Sequence, residues 1–479
     1  MDIKLTKHPR IFEIFEEISA IPHGSENCSE LSGYCVDFAK RHGLEYHRDN
    51  ADNVVIYKEA TNGEKSGDPI ILQGHLDMVC QKEIDSNIDF LKDGLKLKSC
   101  EDYIFADGTT LGADNGIAVA MILYILESNG IKHPPIEAVF TTDEEIGMIG
   151  AGKLDVSLLK GKRMVNLDAE EDNTVTVSCA GGSDFFARLP INFINSNGSL
   201  VTVELKGLKG GHSGVEINSG RINSNILAGR ILSHLSKNYN YDIVGIYGGD
   251  KGNAITNYTK IVLVSNDPIG IDDSIKSYIQ EIQNEICSIE PGFYAVVSVD
   301  PELRKYSVMD KNSKDDLIFI LNCIPNGVQS MSGEIKDLVE TSLNLGILKT
   351  DDSCLSMLVS LRSNKESSLI ALTEKLKIFF SKTKSEVNVS GFYPPWEYKK
   401  DSSLRTQYID AYKSITGKDP QVAAIHAGLE CAIFASKIND IDCIAIGPNI
   451  YDVHTVGEKL SISSTEQTFE VLVELLKRI

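Results

Sequence analysis

Five segments of the chain place ionisable or metal-binding residues where a short apolar run ends or an apolar helix begins. They are Ile70-Ile-Leu-Gln-Gly-His75-Leu-Asp77, Thr110-Leu-Gly-Ala-Asp114-Asn115, Ala138-Val-Phe-Thr-Thr-Asp143-Glu144-Glu145, Met164-Val-Asn-Leu-Asp168 and the stretch from Cys443 to His454. Apolar runs of four to six residues alternate here with amphipathic or wholly apolar helical segments. This βαβα rhythm predicts an α/β fold whose central sheet is mostly parallel and buried on both faces. In such sheets ligands gather outside the carboxyl ends of the strands, so the five segments are expected to converge in one crevice.

The strands are expected at Asn53–Tyr57, Pro69–Leu72, Ile136–Thr142 and Met164–Leu167, with a buried helix from Gly116. After Cys179 the texture changes to alternating strands such as Leu200–Leu205, a Gly-rich turn and a helix over Arg221–Leu235. A similar order recurs, with Leu317–Leu321 and Ser356–Arg362 read as strands and Lys365–Phe380 as a helix. The α/β texture then returns to the end of the chain. These shifts predict a catalytic domain in two parts, residues 1–180 and 391–479, around an inserted α+β domain at 181–390.

Composition narrows the function. With 47 basic against 68 acidic side chains the formal charge is −21, and no basic stripe offsets it, which argues against a nucleic-acid partner. The longest apolar run, Gly116–Leu126, falls short of the ~20 residues that span a bilayer, and the N-terminal segment lacks an apolar signal core; no membrane association is expected. Ten cysteines without a Cys-x-x-Cys pair suit a reduced, cytoplasmic protein.

Each segment read singly has a plain structural explanation. His75-Leu-Asp77 occurs by chance, and Asp114 could simply cap the helix that follows. Three consecutive acids after a buried strand are harder to dismiss, because burial without a cation or shared proton is costly. Taken together, two histidines and several carboxylates without cysteine suit Zn, Mn or Co, and the surplus of carboxylates suggests two ions sharing one bridging Asp. The doublet Glu144-Glu145 then offers both a ligand and a general base. Gly147-Met-Ile-Gly-Ala-Gly-Lys153 lacks the Ser/Thr of a phosphate-binding loop, and neither a Gly-x-Ser-x-Gly elbow nor His-Glu-x-x-His is present.

With these segments in this order, the sequence resembles the aminoacylase and carboxypeptidase superfamily of di-zinc exopeptidases, and within it the bacterial dipeptidases that act on Xaa-His dipeptides such as β-alanyl-histidine. The resemblance implies that His75 and Asp168 bind one zinc, Glu145 and His454 the other, and that Asp114 bridges them. It further implies that Asp77 steers the His75 imidazole, that Glu144 is the general base, and that the Asp114–Asn115 peptide is cis. The inserted domain resembles the family's lid, which implies closure on substrate and a homodimer through that domain. Four segments match the substrate contacts: Gly-Gly-His212-Ser-Gly, Lys-Gly-Asn253-Ala-Ile, Ser-Leu-Arg362-Ser-Asn and His-Ala-Gly428-Leu-Glu. An N-acyl amino acid deacylase, a tripeptidase and a silent binding protein remain alternatives on the same site, though an intact ligand set and base weigh against the last.

Overall fold

The computed structural model describes residues 6–61 and 67–479, and the chain divides into two compact units. The first comprises residues 1–179, 398–424 and 429–479; the second comprises residues 180–397 and 425–428.

The first unit is built on an eight-stranded sheet. Its strand order is Glu45–Arg48, Val54–Lys58, Ile136–Thr141, Ile70–His75, Arg163–Asn166, Asp442–Ala445, Thr174–Cys179, Gln421–Ile425. Pairing is parallel through the four central strands, Ile136–Thr141 to Asp442–Ala445, and antiparallel where Val54–Lys58 and Thr174–Cys179 join them. Ile70–His75 and Ile136–Thr141 are buried along their whole length, which is why their apolar residues fall on both faces without strict alternation. The helix Ala113–Glu127 is apolar on every side because it packs between strand Ile70–His75 and helix Pro9–Ser19. The closing helix Ile462–Arg478 is amphipathic; Ser461 caps it by accepting the Ser464 N–H, and it lies against helix Ser403–Thr416.

A second, four-stranded sheet in this unit runs Ile450–Tyr451, Lys459–Ser461, Tyr103–Ala106, Leu97–Cys100. It joins the hairpin that carries His454 to the strand that leads into Asp114, positions more than three hundred residues apart in sequence. Among the described residues no helix is long and apolar enough to cross a membrane.

The second unit is a nine-stranded sheet, antiparallel in every pair. Eight strands follow the order Tyr294–Met309, Phe193–Lys206, Thr259–Ser265, Asp242–Gly248, Val339–Thr350, Cys354–Ser363, Gly181–Pro190, Glu386–Tyr393, and Gly327–Met331 pairs with Val339–Thr350. Helices Ser224–Leu235, Pro268–Ile286, Lys311–Cys323 and Glu366–Phe380 contribute to its core, where Phe185 stacks on Phe380 at 5.5 Å. Leu317–Leu321, expected as a strand, lies inside helix Lys311–Cys323. Asp310 accepts the Ser313 N–H at 2.8 Å to start that helix, and Ser313, Leu317, Ile320 and Leu321 form its buried stripe at helical spacing. A five-residue apolar run was too short a window to show that period.

Candidate active site

The strand ends and turns of the first unit gather seven of the expected residues: His75, Asp77, Asp114, Glu144, Glu145, Asp168 and His454. His75 closes strand Ile70–His75, and its Nε2 lies 3.1 Å from Asp114 Oδ1 and 3.3 Å from Asp168 Oδ1. The other Asp114 oxygen, Oδ2, is 3.1 Å from His454 Nε2, which is also 2.9 Å from Glu145 Oε1. Donor atoms of His75, Asp114 and Asp168 lie within 4.8 Å of one another; so do those of Asp114, Glu145 and His454, and those of His75, Glu144 and Glu145. The Asp114–Asn115 peptide is cis.

Asp77 is placed differently from the simple steering role. His75 Nδ1 is 3.0 Å from the Asp77 backbone carbonyl and 3.5 Å from its carboxylate. The carboxylate accepts the backbone N–H groups of Glu144 (2.9 Å) and Glu145 (3.1 Å) and the Ser25 hydroxyl (2.8 Å). Asp77 thus holds the turn that presents both glutamates, as well as facing the imidazole.

Burial and crowding set the electrostatics. Burial pushes Glu144 well above the ordinary carboxylate range, reinforced by Asp168, Glu430 and Glu145 and opposed by His75. Asp168 is pushed up to about 6 by burial, with Asp114 and Glu145 adding to it against the pull of His75. Hydrogen bonds to Asp114 and Glu145 hold His454 at about 11. Burial works against a charged His75, but Asp168, Asp114 and Asp77 outweigh it and raise its pKa well above the histidine norm. Carboxylates this close cannot all ionise without positive charge among them. A divalent cation meets that demand, and carboxylate oxygens with imidazole nitrogens suit Zn, Mn or Co. The thiol of Cys80 is pushed up to about 11 by burial and by Asp77, so it is a poor nucleophile.

Residues to which the sequence assigns no role complete the frame. Asn115 donates to Asp168 Oδ1 (2.9 Å) and to the Leu167 carbonyl (2.8 Å), while its Oδ1 accepts the His75 N–H at 3.2 Å. Gly74 allows that approach, because a Cβ there would lie 2.5 Å from Asn115 Oδ1. Glu430 is fully buried, accepts from Thr141 Oγ1 at 2.7 Å and from Gln73, and is pushed up to about 7 by burial with help from Asp168 and Asp77.

Residues 71–478 match peptidase family M20/M25/M40. The chain belongs to this family. It is 34% identical to the cytosol non-specific dipeptidase of Escherichia coli over 473 residues, 98% of this chain and 97% of that protein. The crystal structure of aminoacylhistidine dipeptidase from Vibrio alginolyticus superposes with a TM-score of 0.88 at 33% identity, covering 100% of this chain and 98% of that one. A tripeptidase from Staphylococcus aureus, 15% identical over 99% of both chains with a TM-score of 0.57, shares the fold. The chain is therefore a metallo-dipeptidase, a hydrolase acting on peptide substrates, with an α/β catalytic fold of this family, whose members use divalent metals.

The second unit holds the other four expected residues. His212 lies on the short strand Gly211–His212, which pairs with Ala254–Ile255, and the Asn253 carbonyl accepts the Ser213 N–H at 2.9 Å. Nδ1 of His212 accepts two backbone N–H groups, from Gly214 and Val215, both at 3.2 Å, which leaves the ring proton on Nε2. Arg362 donates from Nη1 to the Tyr393 hydroxyl at 3.0 Å, while its buried Nε has no hydrogen-bond partner among the described residues. Gly428 ends the segment 425–428, which also carries His426. His426 is buried between Ser342 Oγ (2.7 Å) and Asn364 Oδ1 (3.0 Å), and burial with the charges of Arg362 and His212 brings it down to about 3.

Proposed function

We propose that the chain hydrolyses Xaa-His dipeptides such as β-alanyl-histidine, using two divalent ions, zinc with Mn or Co as substitutes, and Glu144 as general base. The observation that carries this reading is the Asp114 carboxylate, whose two oxygens each face one imidazole at 3.1 Å. His75 with Asp168 would complete one ligand set on that carboxylate, and Glu145 with His454 the other. Glu144 stands outside both sets. Two divalent ions, when bound, supply the positive charge that polarises the scissile carbonyl and acidifies a water molecule.

The protein's own groups account for the remaining chemistry. Glu144 accepts the proton of the attacking water as its oxygen bonds to the carbonyl carbon; the C–N bond then breaks, and Glu144 returns the proton to the leaving amine nitrogen. Asp77 holds the Glu144 backbone in place for both transfers. His212, with its proton on Nε2, is a donor suited to the oxyanion, and Arg362, with an unpartnered Nε, suits the terminal carboxylate of a dipeptide. Asn253 and Gly428 are assigned to the same substrate. Residues 181–390 are assigned the role of a lid and dimerisation domain, and the protein is placed in the cytoplasm, without nucleic-acid or membrane partners.

The test is hydrolysis of β-alanyl-histidine beside Ala-His, Gly-Gly and N-acetyl-alanine, by protein stripped with chelator and restored with Zn, Mn or Co. Metal-dependent cleavage that favours the histidine dipeptides is expected. Cleavage of N-acetyl-alanine with none of any dipeptide would refute the substrate assignment.

A further inference from the structure

The loop before helix Ala113–Glu127 converges on a carboxylate from the far end of the chain. Glu458 is buried at 3% exposure, and its two oxygens accept four consecutive backbone N–H groups: Leu111 (2.8 Å) and Gly112 (3.1 Å) on Oε2, Ala113 (2.9 Å) and Asp114 (3.4 Å) on Oε1. The convergence depends on backbone shape. Gly112 turns through φ +66, and Asp114 leaves the helical region at ψ 101, so successive N–H groups line one concavity at the positive end of the helix. An ionised carboxylate is the side chain that fills such a concavity, being acceptor-only with room for about four hydrogen bonds.

The other side of the clamp is His454. Glu458 lies four residues after it, and its own N–H donates to the Thr455 carbonyl at 3.2 Å. The turn between them is closed by Thr455, whose hydroxyl donates to the Asp452 carbonyl at 2.7 Å and accepts the Gly457 N–H at 3.1 Å. Strand Lys459–Ser461 then pairs with Tyr103–Ala106. The Asp114 loop and the His454 loop are thus fastened to each other twice, by the small sheet and by Glu458.

We propose that Glu458 is a positioning residue that fixes Asp114 relative to His454 and so builds the second ion site. The proposal rests on the two-ion reading above. Of the two ligand sets, the His75–Asp168 side is held separately by Asn115, which bonds both the Asp168 carboxylate and the His75 backbone. On the His454 side Asp77 holds the Glu145 turn, and Glu458 ties the His454 loop to Asp114, so losing Glu458 weakens that site selectively. In Glu458→Gln the oxygen still accepts from one pair of N–H groups, but the new NH2 meets the other pair donor to donor.

The experiment is calorimetric zinc titration of the full chain, chelator-stripped, with bound zinc counted by mass spectrometry and melting followed without metal. Wild type takes up two ions; one ion only would refute the two-ion reading before Glu458 is in question. In Glu458→Gln one binding step weakens about 10- to 100-fold, the range for lost outer-shell partners, and the other is little changed. A lowered melting temperature with both steps intact would overturn the proposal and leave Glu458 a purely structural residue. Hydrogen exchange on the unaltered, zinc-loaded protein decides the matter if the variant does not fold. The amides of Leu111, Gly112 and Ala113 are then expected to be strongly protected, and exchange at open-loop rates would overturn the clamp.

Discussion

Replacing Asp77 by Asn separates two jobs, the steering of His75 that the family resemblance implies and the support of the Glu144 turn. The His75 ring keeps its partner in this variant, because Nδ1 bonds the Asp77 backbone carbonyl at 3.0 Å, whereas the carboxylate is 3.5 Å away. What changes is the turn beyond it. The carboxylate accepts the Glu144 N–H on Oδ1 and the Glu145 N–H on Oδ2, at 2.9 and 3.1 Å, and an amide can accept only one of them while its NH2 opposes the other. Asp77 is 1% exposed, so no water takes over the lost acceptor. A hydrogen bond to a charged group is worth about 1.5–3 kcal/mol, which corresponds to a fall in kcat/KM of about 10- to 150-fold if the bond holds Glu144 in place for proton transfer. The assay is steady-state hydrolysis of β-alanyl-histidine at saturating zinc, with zinc content and melting temperature measured on the same preparations. Lower turnover with full zinc content is expected. Activity within about twofold of wild type at an unchanged melting temperature would refute the argument that this carboxylate positions the glutamate turn.

Four further outcomes can be checked on the same protein. Glu144→Ala should still bind added zinc but lose turnover by at least about 100-fold, the lower end for a general base; single-turnover kinetics would show the loss in the chemical step. Tyr393→Phe removes the hydroxyl that accepts from Arg362 at 3.0 Å, and should raise KM for β-alanyl-histidine about 3- to 10-fold with kcat nearly constant. His426 titrates near 3 in the fold against about 6.5 in the unfolded chain, so its contribution to stability is full above pH 6.5 and is lost as the pH falls towards 3. Between pH 7 and pH 5 that loss is about 2 kcal/mol, and denaturant titrations of His426→Gln should show a correspondingly flatter dependence on pH. Phe140→Ala empties a fully buried position in the central sheet and should cost about 3–5 kcal/mol, read as a lower denaturation midpoint.

Why the metal-site candidates could be found in the sequence, while their supports could not, follows from how each is encoded. His75 and the Asp143-Glu144-Glu145 triplet stand at or just beyond the ends of buried strands, and a polar residue that interrupts an apolar run is visible in any short window. The same locality misled at Leu317–Leu321, where five apolar residues carry no period and only the longer spacing from Ser313 reveals the helix. The supports are encoded at long range. Glu458 meets the Asp114 loop across 344 to 347 residues, and Glu430 reaches Thr141 across 289, so neither tie is visible in a local window. Even Asp77, which stands out beside His75, was legible only in part, because its tie to Glu144 spans 67 residues. Candidate ligand types are thus written in local pattern, whereas the backbone N–H groups of the Asp114 and Glu144 turns bond carboxylates distant in sequence. Substitutions at Glu458 and Asp77 are therefore the ones that separate having the right ligands from having them in the right place.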